Sequence, residues 1–246
     1  SSYAVKDLNR PFFGIYNACS TNVEALIIGA SLVSSKYINK CLCSVSSHNM
    51  SSEKQFRNPT EYGAPKPKTA TFTATGGASA VVSSVLSDIK IESGTIGKVV
   101  DYNQNDPLDM GAVMAGAAAD TIKTHLEDTK RDASYYDLIV TGDLGLYGKE
   151  ILKEFMMSEY KIDLSKNYND CGVILYDTKK QPEVLAGGSG PVCSALVLYT
   201  YIINEMKKKN LKRVLVVATG ALFNPNFVFQ KENILSIAHA ISLEAI

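Results

Sequence analysis

Apolar and polar positions along this chain switch between a helical and a strand-like spacing, and the switches mark out its elements. Tyr3, Ala4, Val5 and Leu8 keep a helical spacing that reads as the tail of a helix. The aromatic, Pro-bounded run at 11–16 predicts a buried strand. From Val23 through Ala25, Leu26, Ile27, Ile28 and Ala30 to Leu32 and Val33 the apolar period is helical, and it stops at Ser34-Ser35. Residues 40–45 predict the next strand, closed by the polar turn Ser46-Ser47-His48-Asn49. Residues 50–70 are polar and Pro-rich, a long loop of the kind that serves as a lid or stays disordered. A Thr-rich alternating stretch at 69–75 and Gly76-Gly77 then lead into a strand around Ala80-Val81-Val82.

A second unit follows. It predicts a strand at 89–96, a small-residue helix at 112–126, a strand delivering the polar turn Thr141-Gly142-Asp143, and a helix around 151–157. Further on come a strand at 171–176, a Gly-rich flexible connection at 186–191, a helix holding 196–206, and strands at 214–220 and 236–243. Strands that alternate with helices argue for an α/β layered sheet.

Two segments repeat one plan. Ala18-Cys19-Ser20 opens an apolar helix that exits through Ser34-Ser35-Lys36 to a strand, and Val192-Cys193-Ser194 opens another that exits through Lys207-Lys208-Lys209 to a strand. Cys19 to Cys41 spans 22 residues and Cys193 to Val214 spans 21. The chain therefore divides into two related βαβ-type halves, 1–88 and 89–246.

Composition narrows the function classes. The 246 residues carry 25 basic and 25 acidic side chains, a formal net charge of zero, which excludes an electrostatic nucleic-acid binder. The basic run at 207–213 flanks a helix end, where cations complement the dipole. Hydrophobic residues make up 46%, yet apolar runs such as 214–223 fall well short of the ~20 residues that span a bilayer. The five cysteines include no CxxC pair and no signal peptide precedes them, which suits a reducing, intracellular compartment. Cys41-x-Cys43 points two thiols to one strand face, and without a matching His or Cys cluster it reads as core packing rather than metal binding.

Cys19 is the candidate that matters for chemistry. At a strand-to-helix junction, backbone N–H groups and the helix dipole favour a thiolate, although a small buried residue at a tight turn fits the same position. His48 ends a strand beside the long loop and faces the site. His125 reads as a surface residue in the polar tail of its helix, and His239 as a satisfied core residue in the last strand.

The duplicated plan, with Cys19-Ser20-Thr21 opening a buried helix, resembles the thiolase and ketoacyl-synthase superfamily over nearly the whole chain. Thr75-Gly76-Gly77-Ala78-Ser79-Ala80 stands where that superfamily has a Gly-Asp-Gly-Ala turn, and Gly187-Gly188-Ser189-Gly190 where condensing enzymes carry Gly-Asn-Thr-Ser. Within it, Ser46-Ser47-His48-Asn49, Pro59-Thr60-Glu61-Tyr62-Gly63, Asp106-Pro107-Leu108-Asp109-Met110-Gly111, Thr141-Gly142-Asp143-Leu144 and Ala218-Thr219-Gly220-Ala221-Leu222 resemble the stage V sporulation protein AD family. The resemblance implies a layered α/β/α/β/α architecture with the first half truncated by roughly the first quarter of the family's length. It also implies a protein that binds dipicolinic acid, free or as its calcium chelate. Such a protein would sit peripherally at the inner spore membrane, through membrane-embedded partners of the same sporulation channel complex. Homodimerisation is a further expectation.

The same resemblance argues against catalysis. Where a condensing enzyme has its first catalytic His, this chain has Gly142-Asp143, and a negative charge there disfavours a neighbouring thiolate. Where it has Asn or His, this chain has Gly188. Losing one oxyanion donor typically costs about 10²–10³ in rate. No catalytic residue, resident cofactor or protein metal site is therefore expected; calcium would enter only with the ligand. The ligand-binding set expected is Cys19, Ser20, Thr69, Thr71, His48 and Asp143, with Arg57 as a further cation. An active condensing enzyme using Cys19 is the alternative.

Overall fold

The computed structural model describes residues 2–56 and 65–246; Arg57 and the motif at 59–63 lie outside them. The elements in chain order are α1 (Ser2–Leu8), α2 (Thr21–Ser34), β1 (Lys40–Ser47), α3 (Asn49–Phe56), β2 (Phe72–Thr73), β3 (Gly76–Ser83), β4 (Ile89–Thr95), α4 (Met110–Thr129), β5 (Leu138–Thr141) and α5 (Gly145–Tyr160). They continue with β6 (Tyr168–Asp170), α6 (Cys171–Leu175), β7 (Gly188–Ser189), α7 (Cys193–Val197), a π-helical turn at Leu198–Ile202, α8 (Ile203–Lys207), β8 (Arg213–Ala221), α9 (Pro225–Phe229) and β9 (Ser236–Ala245).

A five-stranded mixed sheet in the order β4-β9-β8-β5-β6 is the centre of the molecule. β5 runs parallel to β6 and β8, while β9 is antiparallel to β8 and β4. β8 shows how one strand serves two layers. Its Leu215 and Val217 enter the core under α4 and α5, and its Val214, Val216 and Ala218 enter the core under α2, α7 and α8. Burial on both faces explains why this stretch reads as an unbroken apolar run instead of an alternating one. On the far side of α2 lies an antiparallel pair, β1 with β3, whose inner residues Cys41, Cys43, Ala80 and Val82 close the same core. The opposite face of that pair is exposed at Leu42 and Val81. The repeat is structural as well: each Cys-opened helix leads to a strand, β1 or β8, that pairs antiparallel with the next long strand, β3 or β9.

Five local expectations change. The run at 11–16 forms no strand, and Phe12 and Phe13 are exposed at 57% and 74%; aromatic composition cannot supply a ladder partner. Residues 171–175 are helix rather than strand, because the Asp170 carboxylate accepts the Gly172 N–H and caps a helical turn. A short apolar run cannot by itself distinguish the two. Part of the expected loop at 50–70 is α3, and of the alternating 69–75 stretch only Phe72–Thr73 pairs as strand. The connection at 186–191 is buried at Ala186 and Ser189 and tied down in a parallel pair of β7 with β2, so it is not flexible.

Close packing of α4 against α5 depends on two glycines. A Cβ at Gly148 would lie 2.6 Å from the Gly111 Cα and 2.9 Å from its carbonyl oxygen. Gly148→Ala gains about 1 kcal/mol of helix propensity but forces backbone from backbone, an overpacking cost that reaches about 3 kcal/mol. The expected net loss is about 2 kcal/mol, read as a lower urea midpoint at unchanged m-value. An equal or higher midpoint would refute the close contact.

Candidate functional site

Asn17 to Thr21 form a tight elbow at the head of α2. Ala18 takes the left-handed backbone with φ +50°, a conformation that costs a non-glycine residue on the order of 1–3 kcal/mol and needs support from its surroundings. The support is local. Ser20 Oγ donates to the Asn17 carbonyl at 2.6 Å, Thr21 Oγ1 donates to the Ala18 carbonyl at 2.7 Å, and the Asn17 N–H donates to Thr21 Oγ1 at 3.0 Å. The elbow packs on the end of β8, where a Cβ at Gly220 would stand 2.8 Å from the Asn17 carbonyl oxygen. Cys19 is left half-buried at the apex.

Asp143 meets Cys19 from the other side of the sheet. Its carboxylate is 1% exposed. Oδ2 accepts from Ser189 Oγ at 2.9 Å and from the Gly190 N–H at 3.0 Å, and Oδ1 accepts from Thr219 Oγ1 at 2.8 Å. The Cys19 thiol lies within hydrogen-bonding reach of the same carboxyl group and helps to lower its pKa. Burial raises the Asp143 pKa, and these four donors hold it back. Four segments thus converge on one carboxyl group: the elbow, the β5–α5 turn, β7 and the end of β8. Glycines permit the approach, since a Cβ at Gly142 would lie 3.0 Å from the Thr219 nitrogen and Gly190 sits at φ +99°.

A second buried carboxylate secures the floor. Asp170 accepts from Thr141 Oγ1 at 2.7 Å, from the Leu144 and Gly145 N–H groups at 2.9 Å each, and from Gly172 at 2.9 Å. Burial is the main cause that pushes its pKa up to about 6, with Asp143 adding to the shift. Cys171 and Cys193 are buried beside these acids, and burial followed by neighbouring negative charge drives both thiols well above their usual range.

The other expected site residues fall at different distances from this centre. Ser20 is fully buried and its hydroxyl is turned into the elbow. Thr71 is buried, and its methyl lies 3.0 Å from where a Cβ of Gly145 would be, so it flanks the Asp143 turn. Thr69 Oγ1 donates to the Leu108 carbonyl at 3.2 Å, near the head of α4. His48 is exposed at the corner between β1 and α3, next to Ser47, whose Oγ lies 3.5 Å from where a Cβ of Gly190 would stand. Ser189, Gly190, Thr219 and Asp170 are not among the expected ligand residues, although the Gly187-Gly188-Ser189-Gly190 and Ala218-Thr219-Gly220 motifs contain three of them. His125, expected on the surface, is 0% exposed, bonded through Nδ1 to Thr95 Oγ1 at 2.8 Å and through Nε2 to the Tyr136 hydroxyl at 2.7 Å. His239 is a satisfied core residue, with Nε2 at 2.8 Å from the Asn17 side-chain amide and Nδ1 accepting from the Gly97 N–H at 3.1 Å.

The sequence profile of Stage V sporulation protein AD (SpoVAD) matches residues 1–244. The chain belongs to the SpoVAD family. It is 45% identical over 244 residues to Stage V sporulation protein AD of Bacillus subtilis, covering 99% of this chain and 71% of that protein. The fold is thiolase-like. The 3-oxoacyl-[acyl-carrier-protein] synthase III of Aquifex aeolicus superposes with a TM-score of 0.63 at 13% identity, over 98% of this chain and 70% of that one. Cerulenin-bound OleA of Xanthomonas campestris gives 0.58 at 13% identity, over 98% and 69%. In this SpoVAD-family chain no helix among the described residues is long and apolar enough to cross a membrane. No group of three or more His, Cys, Asp or Glu side chains among them is arranged to hold a metal ion.

Proposed function

We propose that this SpoVAD-family chain is a thiolase-fold protein without condensing activity. It binds dipicolinic acid, free or as its calcium chelate, for uptake into the developing spore and release in germination. The buried Asp143 carboxyl group, held by Ser189, Gly190 and Thr219 beside the Cys19 thiol, carries the reading. Claisen condensation needs a thiolate and donors for the developing oxyanion. Here the thiol's neighbour is an acceptor, and an ionised Asp143 opposes negative charge on the sulfur. At Gly188, where the resemblance expects Asn or His, a side chain would begin 3.0 Å from the Tyr176 ring and 3.2 Å from Leu175 Cδ2. The space for a second donor is filled.

Dipicolinate is a flat pyridine dicarboxylate, which needs polar donors at its ends and a slot for the ring. Cys19 and Asp143 form the floor of the proposed site, Thr71 flanks it, Ser20 braces the elbow, and Thr69 and His48 complete the ligand set. Burial raises the Asp143 pKa, which lessens repulsion toward the free dicarboxylate; the ionised form is an oxygen donor suited to the calcium chelate. The protein holds no cofactor of its own in this reading. It works as a peripheral partner of membrane-embedded channel proteins at the inner spore membrane, with a homodimer as its assembly.

Calorimetry of the natural full-length protein with dipicolinate, with and without calcium, tests the proposal. Cys19→Ala is expected to weaken binding about tenfold, close to 1.4 kcal/mol. Absence of heat for the wild type, or an unchanged affinity in the variant, removes it. One observation favours the condensing-enzyme alternative, namely the retained elbow with Ala18 at φ +50°. Stoichiometric acylation of Cys19 by acetyl-coenzyme A followed by thiol-releasing turnover would establish that alternative instead.

A further inference from the structure

His239 lies on β9, 220 positions from Cys19, yet it touches the elbow directly. Its hydrogen bonding admits a single tautomer. A backbone N–H can only donate, so Gly97 fixes Nδ1 as an acceptor at 3.1 Å. The ring proton is then on Nε2, 2.8 Å from the Asn17 amide. The structure sets the Asn17 Nδ2 there; Nε2–H needs an acceptor, and amide oxygen and nitrogen are interchangeable on geometry, so we assign the amide turned over, with Oδ1 facing the ring. Gly97 reaches the ring only because it lacks a side chain; a Cβ there would lie 1.9 Å from the Ala238 carbonyl oxygen. Asn17 is consequently held at its side chain by His239, at its N–H by Thr21 and at its carbonyl by Ser20. It is the residue immediately before the strained Ala18.

We propose that His239 is the positioning residue of the Cys19 elbow, acting through Asn17. It clamps the residue from which the left-handed turn departs, and so sets where the Cys19 thiol meets Asp143. Applied to dipicolinate binding, this rests on the function proposed above; applied to the geometry of Cys19, it stands apart from any ligand.

Two substitutions separate the halves of the ring. His239→Gln keeps a donor at the Nε2 position and loses the acceptor for Gly97. His239→Asn keeps the acceptor near Nδ1 and loses the reach to Asn17. Peptide-resolved mass spectrometry of iodoacetamide labelling at Cys19, well below the melting temperature, reads the thiol's confinement. The expected results are about tenfold faster labelling in His239→Asn, the change that one lost hydrogen bond of ~1.4 kcal/mol brings, and a rate within about twofold of wild type in His239→Gln. Asn17→Ala should match His239→Asn, and the double variant Asn17→Ala/His239→Asn should be no faster than either single. Wild-type labelling in His239→Asn, equal acceleration in the Gln and Asn variants, or additive effects in the double variant would each overturn the proposal. Should His239→Asn not fold, Asn17→Ala decides alone, since an unchanged rate there overturns it. Dipicolinate calorimetry on the same proteins is read separately: absent binding in the wild type sinks the ligand reading while the labelling result still judges His239.

Discussion

Asp143→Ala is expected to cost about 3–5 kcal/mol of unfolding free energy and, under the proposed function, to abolish dipicolinate binding. Removing the shared acceptor leaves several buried neutral donors unpaired, each at a desolvation penalty of about 1–3 kcal/mol, larger than the net worth of any single bond. Four donors depend on this carboxyl group: Ser189 Oγ, the Gly190 N–H, Thr219 Oγ1 and the Cys19 thiol. Gly190 has an obligatory donor, whereas the hydroxyls of Ser189 and Thr219 can rotate to accept. Asn at 143 can therefore keep its oxygen on Gly190 and point its NH₂ at a hydroxyl, so Asp143→Asn should cost only about 1 kcal/mol. Urea unfolding of the two variants is the measurement. An Ala variant as stable as wild type, or an Asn variant as damaging as Ala, would show that the carboxyl group is not the hub.

The second large effect is a pH dependence located at His125. Burial first, and the positive Arg131 second, push its pKa down to about 4 from an ordinary 6.5. The unfolded chain binds a proton at His125 over that window and the folded chain does not. Stability contributed by the neutral, bonded ring is thus fully present above pH ~6.5 and is lost as pH falls toward ~4. A shift of this size corresponds to about 3 kcal/mol. Asp170 runs the other way: its pKa is raised to about 6, so its contribution is present below pH ~3.8 and is lost as pH rises through ~6. The whole-protein curve mixes these opposing terms, and the informative quantity is the difference between wild type and His125→Gln, which carries no titrating group at 125. That difference should change by about 3 kcal/mol between pH 6.5 and 4. Parallel stability curves for the two proteins would rule out His125 as the source.

The surroundings of His125 also show where reading the sequence stops. Lys123, Thr124, Glu127 and Asp128 make this end of α4 look solvated, yet Ile122, His125 and Leu126 share its inner face. Helical spacing puts position 125 on that face, whereas its polar type among charged neighbours favours the surface. Only the placement of Thr95 on β4 and of Tyr136 before β5 gives the ring its two partners. A buried histidine becomes tolerable when both nitrogens are satisfied, and neither partner is near it in sequence.

The run at 11–16 and the run at 171–176 fail as strands for related reasons. Apolar composition specifies burial or contact, not a hydrogen-bonding ladder. At 171–176 the Asp170 carboxylate, anchored by Thr141 and the start of α5, offers the helical cap that decides the issue. At 11–16 no strand among the described residues supplies a ladder.

By itself the sequence determined the elements whose periods are long and regular: α2, α4, β8, β9 and the repeat that opens two helices with Cys19 and Cys193. Those signals are local, since burial on one face or on two imposes its own spacing on the residues. It also placed Asp143 at the turn after β5 and Cys19 at the head of α2, with a motif specific enough to identify the SpoVAD family. That the two side chains meet was decided only by the tertiary structure. The donors that complete the site come from Ser189, Gly190 and Thr219, at separations of 46, 47 and 76 residues from Asp143. No local rule links positions so far apart; the sheet order β9-β8-β5 and the glycines that let backbones touch bring them within 3 Å of one carboxyl group.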